Sequence, residues 1–78
     1  MTILRMPAVK AQTGHRSHAS IYNAINDGLF TKPVQIGGER VAWPANEIEA
    51  INRARIAGKS DDEIKALVVE LEAARGAA

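Results

Sequence analysis

Residues 13–26 run TGHRSHASIYNAIN, and how they fold decides what the rest of the chain must be. Ser17 stands ahead of His18-Ala19-Ser20, where its hydroxyl can accept a free backbone N–H and cap a helix. Ile21 and Ile25 are one helical repeat apart with Ala24 between them, and Leu29 continues the row. Gly28 suits the left-handed residue that ends a helix. The spacing therefore predicts a helix over 18–27. Its outward side holds His18, Ala19, Tyr22, Asn23 and Asn26, which are small or polar groups rather than the Lys and Glu that a solvent face needs. Upstream, Pro7 fits a first helical turn because its missing N–H is not needed there. Val9, with Ala8 and Ala11, makes a short apolar face, and Thr13-Gly14 stops it. This predicts a helix over 6–13. Two helices joined by about four residues that include a glycine form a helix-turn-helix pattern.

Downstream, Val34 and Ile36 alternate with Gln35, and Val41 and Trp43 alternate with Ala42, across Gly37-Gly38-Glu39. Two short period-two runs across such a break predict a β-hairpin. Val34, Ile36, Val41 and Trp43 are expected to face the helices, with Trp43 as anchor. Lys32 and Arg40 fall at the strand ends or on the outer face. A lone hairpin is marginal and must pack on something. Pro44 opens a third helix over 45–57, with Ile48, Ile51 and Ile56 near one side. Glu47 and Glu49 in its first turn suit the helix dipole, and Gly58 ends it. Ser60 to Glu63 reads as a capping box. Ile64, Leu67, Val68 and Leu71 then repeat as an amphipathic helix does. This predicts a fourth helix over 61–74, a stop at Gly76 and a fraying Ala-rich end over 73–78. Its apolar stripe either closes a thin core or forms a partner surface, with Val69 as an extra apolar group.

Composition sets the outer limits. At 78 residues the chain is one small domain, too short for a multi-domain enzyme. The absence of cysteine removes disulfides, thiolate zinc ligands and thiol catalysis. A reduced cytoplasmic interior is the expectation. The longest apolar runs, such as Ala66 to Val69, are far too short to span a bilayer. Met1 to Pro7 has no apolar core of a signal peptide. The formal net charge of +1 hides an asymmetry. Residues 1–43 carry five Lys or Arg against two acidic groups, net +3, and both histidines. Residues 44–78 carry five against seven, net −2. A basic front with an acidic rear fits one surface turned toward a polyanion.

The chemistry of the pieces points the same way. A helix fits the major groove, with its N-terminal residues nearest the base edges. Asn23 and Asn26 can pair bidentately with adenine and His18 can donate to guanine. Ser17, Ser20 and the free N–H groups of the first turn can hold a phosphate. Arg16, just ahead of the helix, is placed for a phosphate or a base. A Gly-Gly tip flanked by Lys32 and Arg40 has the shape of a wing lying along the backbone or in the minor groove. A phosphate-binding P-loop needs further glycines and a Gly-Lys-Ser/Thr directly after a strand, and Gly37-Gly38 leads instead into Glu39-Arg40. His15 and His18 alone make an incomplete metal-ligand set. Every acidic cluster lies at a helix start, where capping and the dipole explain it. No nucleophile is spaced with a base, so neither an enzyme nor a cofactor is expected.

These residues carry a resemblance. Thr13-Gly14, Ser17 to Tyr22, Gly28-Leu29-Phe30, Lys32-Pro33-Val34, Ile36-Gly37, Arg40, Trp43-Pro44 and Glu47-Ile48 resemble the AlpA family of prophage regulators. That family sits within the MerR-like, excisionase-type winged helix-turn-helix group. The likeness spans Val9 to Ile51 and, more loosely, the tail from Gly58. It implies a mainly α fold with a small β-hairpin: a winged helix-turn-helix domain over 1–57 and a C-terminal helical extension over 58–78. The extension is packed on that domain or used for self-association. It also implies a bacterial, nucleoid-associated protein that binds double-stranded DNA. Such a protein acts as a recombination directionality factor beside an integrase, as a transcriptional regulator, or as both. By position, Ser17, His18, Ser20, Tyr22 and Asn23 would lie in or beside the major groove, with Arg40 as wing contact. The alternative is a protein-interaction module that docks an integrase or a polymerase through the C-terminal helix. Three positions depart from the pattern. His15-Arg16 replaces one apolar residue, which is expected to weaken packing at the turn. Asn23 stands where a basic residue is common, and Ile51 where a tryptophan is.

Overall fold

A computed structural model describes residues 2–75. In chain order the elements are β1 (Ile3–Arg5), α1 (Met6–Thr13), α2 (His18–Asn26), β2 (Val34–Gly37), β3 (Arg40–Pro44), α3 (Ala45–Ile56) and α4 (Asp61–Arg75). All four helices and the hairpin stand where the residue pattern places them. The expected stop at Gly76 and the end of the Ala-rich tail lie outside the described residues, and α4 runs unbroken through Ala73 and Ala74.

The terminators are those the sequence supplies. Gly14 and Gly28 both adopt φ of +78°, and the Gly14 and Gly28 N–H groups bond back to Lys10 and Ile25 carbonyls. A side chain at either position would be strained, since the left-handed region is costly for residues with a Cβ. At α4, the Ser60 Oγ accepts from the Glu63 N–H (3.2 Å) while Glu63 Oε1 accepts from the Ser60 N–H (3.2 Å). The capping box is therefore formed, and the Ser60 N–H and hydroxyl, both bonded to Oε1, hold the Glu63 carboxyl below its ordinary value.

The sheet has order β1-β3-β2 with both pairings antiparallel. Strand β1 went unread in the sequence. Three residues are too few to show a period, and Ile3–Arg5 is a strand only because β3 supplies its partners, Leu4 opposite Trp43 among them. Its pairing makes β3 the central strand and buries Ala42 and Trp43.

The core gathers Met6, Val9, Ile21, Phe30, Trp43, Ile48, Ile51, Ile64 and Val68. Trp43 is its centre, fully buried, with its Nε1–H donating to the Thr31 carbonyl at 2.8 Å. Each buried aliphatic of this kind contributes roughly 1.5–3 kcal/mol. Ile64 and Val68 belong to this same cluster, with Leu67 and Leu71 packed at its edge, so the apolar stripe of α4 is spent inside the molecule. Val69 alone of that group stays exposed.

Two expectations about facing are corrected. Val34 and Ile36 are not buried under the helices; all of β2 is exposed, as an edge strand whose register slips between Gln35 and Gly37, and Val34 only borders an open cleft with Leu71 and Ala74 of α4. Ile56 is 87% exposed. At 3.6 residues per turn it stands on the far side of α3 from Glu47, Ile51 and Ala54, which face inward.

Glu47 is the larger surprise. It does not merely suit the dipole of α3; it is buried at 2% exposure beneath α4. Arg75 grips it with two hydrogen bonds, Nε to Oε2 at 2.7 Å and Nη2 to Oε1 at 2.6 Å. The paired carboxylate raises the Arg75 pKa above its ordinary value. Arg75 Nη2 also donates to the Lys32 carbonyl (2.6 Å), and Glu72 accepts from the Lys32 N–H (2.7 Å). The last turn of α4 thus fastens α3 and the segment leading into the hairpin together.

Candidate nucleic-acid interface

The segment Gly14–Ser17 joins α1 to α2, and its geometry sets the start of α2. Ser17 is extended and its Oγ accepts from the Ser20 N–H at 3.2 Å, which satisfies one of the donors a helix start leaves free. The end of α1 is held from the other side, where Asn52 Nδ2 donates to the Gln12 carbonyl (3.0 Å).

His15 supplies the packing that the departure at this turn was expected to lose. It is half-buried, and its ring meets Phe30 edge-on with centroids 6.0 Å apart. Phe30 meets Trp43 in the same manner at 5.9 Å. His15 Nδ1 is also hydrogen-bonded to Ser20 Oγ at 2.6 Å. A ring that is apolar on its faces and polar at one nitrogen can fill an apolar place while gripping the first turn of α2. The turn is therefore a fixed joint between the core and α2.

From that joint α2 turns its polar side outward. Arg16, Ser17, His18, Tyr22, Asn23 and Asn26 are all exposed, with Ile21 buried on the opposite side and Ala24 and Ile25 at the margins. Ser20 differs from the rest. It is half-buried and its hydroxyl is taken by His15, so it supports the helix start and is a poor candidate for direct contact. Among the described residues, the side chains of Arg16, His18, Tyr22, Asn23 and Asn26 have no hydrogen-bond or ion-pair partner within the protein. C-terminal helix α4 leaves this side open, meeting α2 only near its end, beside Gly28.

Lys32 is exposed and lines a cleft with Ile25 and Gly28, so the fold brings it to the C-terminal end of α2. Its backbone, not its side chain, is what α4 holds. Arg40 is exposed at the start of β3, opposite Gly37 near the hairpin tip. No hydrogen bond or ion pair joins it to α2 among the described residues. The nine residues singled out in the sequence thus divide into six exposed along α2 and its lead-in, one at the helix end, one at the hairpin, and Ser20 turned inward.

No group of three or more His, Cys, Asp or Glu side chains gathers as metal ligands do among the described residues. No described helix is long and apolar enough to cross a membrane. The sequence marks His15 as half of an incomplete metal pair and, with Arg16, as the replacement of an apolar residue of the turn; the expected loss of packing is corrected by its contact with Phe30. Lys65 and Arg75 carried no signal at all, because their importance depends on where α4 docks.

Comparison with known proteins places the chain in a family. Residues 2–56 match the family model described as prophage CP4-57 regulatory protein (AlpA). An uncharacterized protein, ORF88, of Enterobacteria phage P4 is 41% identical over 56 residues, which is 72% of this chain and 62% of the phage protein. The chain therefore spans less than two thirds of that relative. No solved structure matches it significantly. The family match runs from β1 to the end of α3 and takes in the capped turn, the outward face of α2 and the hairpin, so the chain belongs to the AlpA family of prophage regulatory proteins.

Proposed function

We propose that this protein is a sequence-specific binder of double-stranded DNA from a phage or integrative element, with α2 as the recognition helix and the β2–β3 hairpin as a wing. The observation that carries this reading is the outward side of α2 and its lead-in: four polar or aromatic side chains on the helix, and Arg16 ahead of it, without partners among the described residues, set on a capped helix start. Buried polar groups find partners within a protein; polar groups gathered on one exposed helix face and left free are suited to a partner outside it. Asn23 and Asn26 offer bidentate contacts to adenine, His18 a donor to guanine, and Arg16 a phosphate or base contact. Ser17 and the free N–H groups beside it suit a phosphate at the helix N-terminus. Lys32 and Arg40 reach the flanking backbone.

The mechanism is positional. His15 holds the start of α2 to the core through Ser20 and Phe30, so the base-reading groups arrive as one unit. The clamp of Arg75 and Glu72 on Lys32 fixes the base of the wing relative to α2. Binding then biases either a promoter or a recombination reaction, and the excisionase-like role and the transcriptional role are both served by such contacts. At the nucleoid of a bacterial cell an integrase would be the partner in the first role. The packing of Ile64 and Val68 in the core, with Leu67 and Leu71 at its edge, favours this reading over the alternative of a partner docked on α4.

Footprinting on DNA flanking the gene, with and without the neighbouring integrase, tests the reading. A protected site whose affinity falls steeply with salt is the expected result. Protection only at attachment-site arms assigns the excision role, and protection of a single promoter operator assigns transcription control. No protection, or an affinity that ignores salt, rejects the proposal.

A further inference from the structure

The family match ends at residue 56, before α4 begins at Asp61. Yet one side chain of α4 lies against the end of α2. A Cβ built on Gly28 would sit 3.6 Å from Lys65 Cγ and 3.9 Å from its Cδ, so the aliphatic stem of Lys65 runs across the helix terminus. A shallow cleft of ≈ 210 Å³ opens there, lined by Ile25 of α2, by Gly28 just beyond its end, by Lys32, and by Lys65 and Glu72 from α4. Two lysines from elements far apart in sequence thus border the same corner of the proposed DNA-binding face.

The surrounding charges leave those two ammonium groups free. Asp61, one helical repeat before Lys65 and its natural neutralising partner, is drawn to Arg55 at 3.6 Å. Lys59 is matched with Glu63 (3.6 Å) and Arg75 with Glu47 (2.6 Å). Glu72, the acidic group in the cleft, has an oxygen committed to the Lys32 backbone N–H. Among the described residues neither Lys32 nor Lys65 has a carboxylate within ion-pair distance.

Resting on the DNA-binding reading above, we infer that α4 extends the interface: Lys65, beside Lys32, contacts a backbone phosphate of the strand bordering the groove that α2 enters. A helix lying in the major groove is bordered by phosphates, and cations at its rim hold it in register without reading sequence. The packing of the Lys65 stem on Gly28 confines where its ammonium can go, which lowers the ordering cost of the contact. The C-terminal helix then has two uses, closing the core with one side and gripping DNA with the other.

The test measures affinity by fluorescence anisotropy across a salt series, on a short duplex carrying the sequence that the full-length protein enriches from a randomised pool. Lys65→Met keeps the apolar stem over Gly28 and removes only the charge. It should flatten the slope of log affinity against log salt by about 0.9, the release of one phosphate's counterions. That corresponds to roughly eightfold weaker binding at 0.1 M salt, equally on cognate and unrelated duplexes. Lys65→Arg should restore the slope. Lys59→Gln makes the same change in net charge at an ion-paired site and should leave the slope as it is. A wild-type protein with a steep slope and a Lys65→Met variant with the same slope overturns the inference while sparing the DNA-binding reading. An equal loss in Lys59→Gln overturns it too, by tracing the effect to net charge. A wild-type protein with no salt response rejects the DNA-binding reading itself. Thermal melting of each variant, expected unchanged because Lys65 is exposed, separates loss of contact from loss of fold.

Discussion

Helices α2 and α4 lean on the same core and meet at Gly28, but their polar residues have opposite employment. On α2 the polar groups point away from the protein and bind nothing within it, apart from the Ser20 hydroxyl held by His15. On α4 the polar groups of the last turn fold back: Glu72 to the Lys32 N–H, Arg75 to Glu47 and to the Lys32 carbonyl. Among the described residues, one helix leaves its hydrogen-bonding capacity unused, and the other uses it to secure the segment on which the hairpin is mounted. Substitutions of Glu72 and Arg75 in the last turn of α4 should therefore register in stability first, and substitutions on the outer side of α2 in binding alone.

The sharpest break in that contrast comes from Arg75→Ala. It leaves the Glu47 carboxylate buried without its cation, a situation that costs about 3 kcal/mol. Chemical denaturation should show that loss, and hydrogen exchange should rise at residues 32–36. An unaltered midpoint would mean the clamp is not a structural element. Next in size, Asn23→Ala and Arg16→Ala should each cost about 1–3 kcal/mol of affinity on the cognate duplex if they read a base. Their melting temperatures should match the wild type. Unchanged affinity for both would remove the outer side of α2 from the interface. A substitution at the joint should move both readouts. His15→Ala deletes an aromatic contact and a hydrogen bond and should lower stability by about 1–1.5 kcal/mol. Specific affinity should fall as well, because the start of α2 loses its anchor; a variant that loses neither contradicts the role given to His15.

The smallest effect lies in pH. The Glu63 carboxyl is held below its ordinary value, first by the Ser60 backbone N–H and then by the Ser60 hydroxyl. A depressed folded-state value means that its contribution is present above the unfolded carboxylate pKa and fades as pH falls through the folded one. Glu63→Gln should remove that part of the acid limb from a plot of stability against pH, and should leave DNA affinity near neutrality unchanged. An identical acid limb in both proteins would show that the capping box adds nothing measurable.

Much of this architecture was legible before any coordinates. Local signals are strong where one residue decides a backbone conformation: Ser17 and Ser60 as caps, Gly14 and Gly28 at positive φ, and the isoleucine spacing of α2. The hairpin was legible as an element but not in its facing, because period two leaves open which side is covered until a third strand chooses. Pairing of β1 with β3 made that choice, burying Ala42 and Trp43 and leaving Val34 and Ile36 outside.

The candidate site divides along the same line. His18, Tyr22, Asn23 and Asn26 could be named from helical periodicity, because the inward residues of a nine-residue helix dictate the outward ones, and Arg16 from its place just ahead of the cap. The fates of Ser20, Glu47, Lys65 and Arg75 could not, since each depends on a contact with residues from another element. Periodicity and capping act over a handful of neighbouring residues and can be read from order alone. Ion pairing and burial act over distance in space, and Glu47 meets Arg75, 28 residues away, only once the apolar side of α4 has found the core.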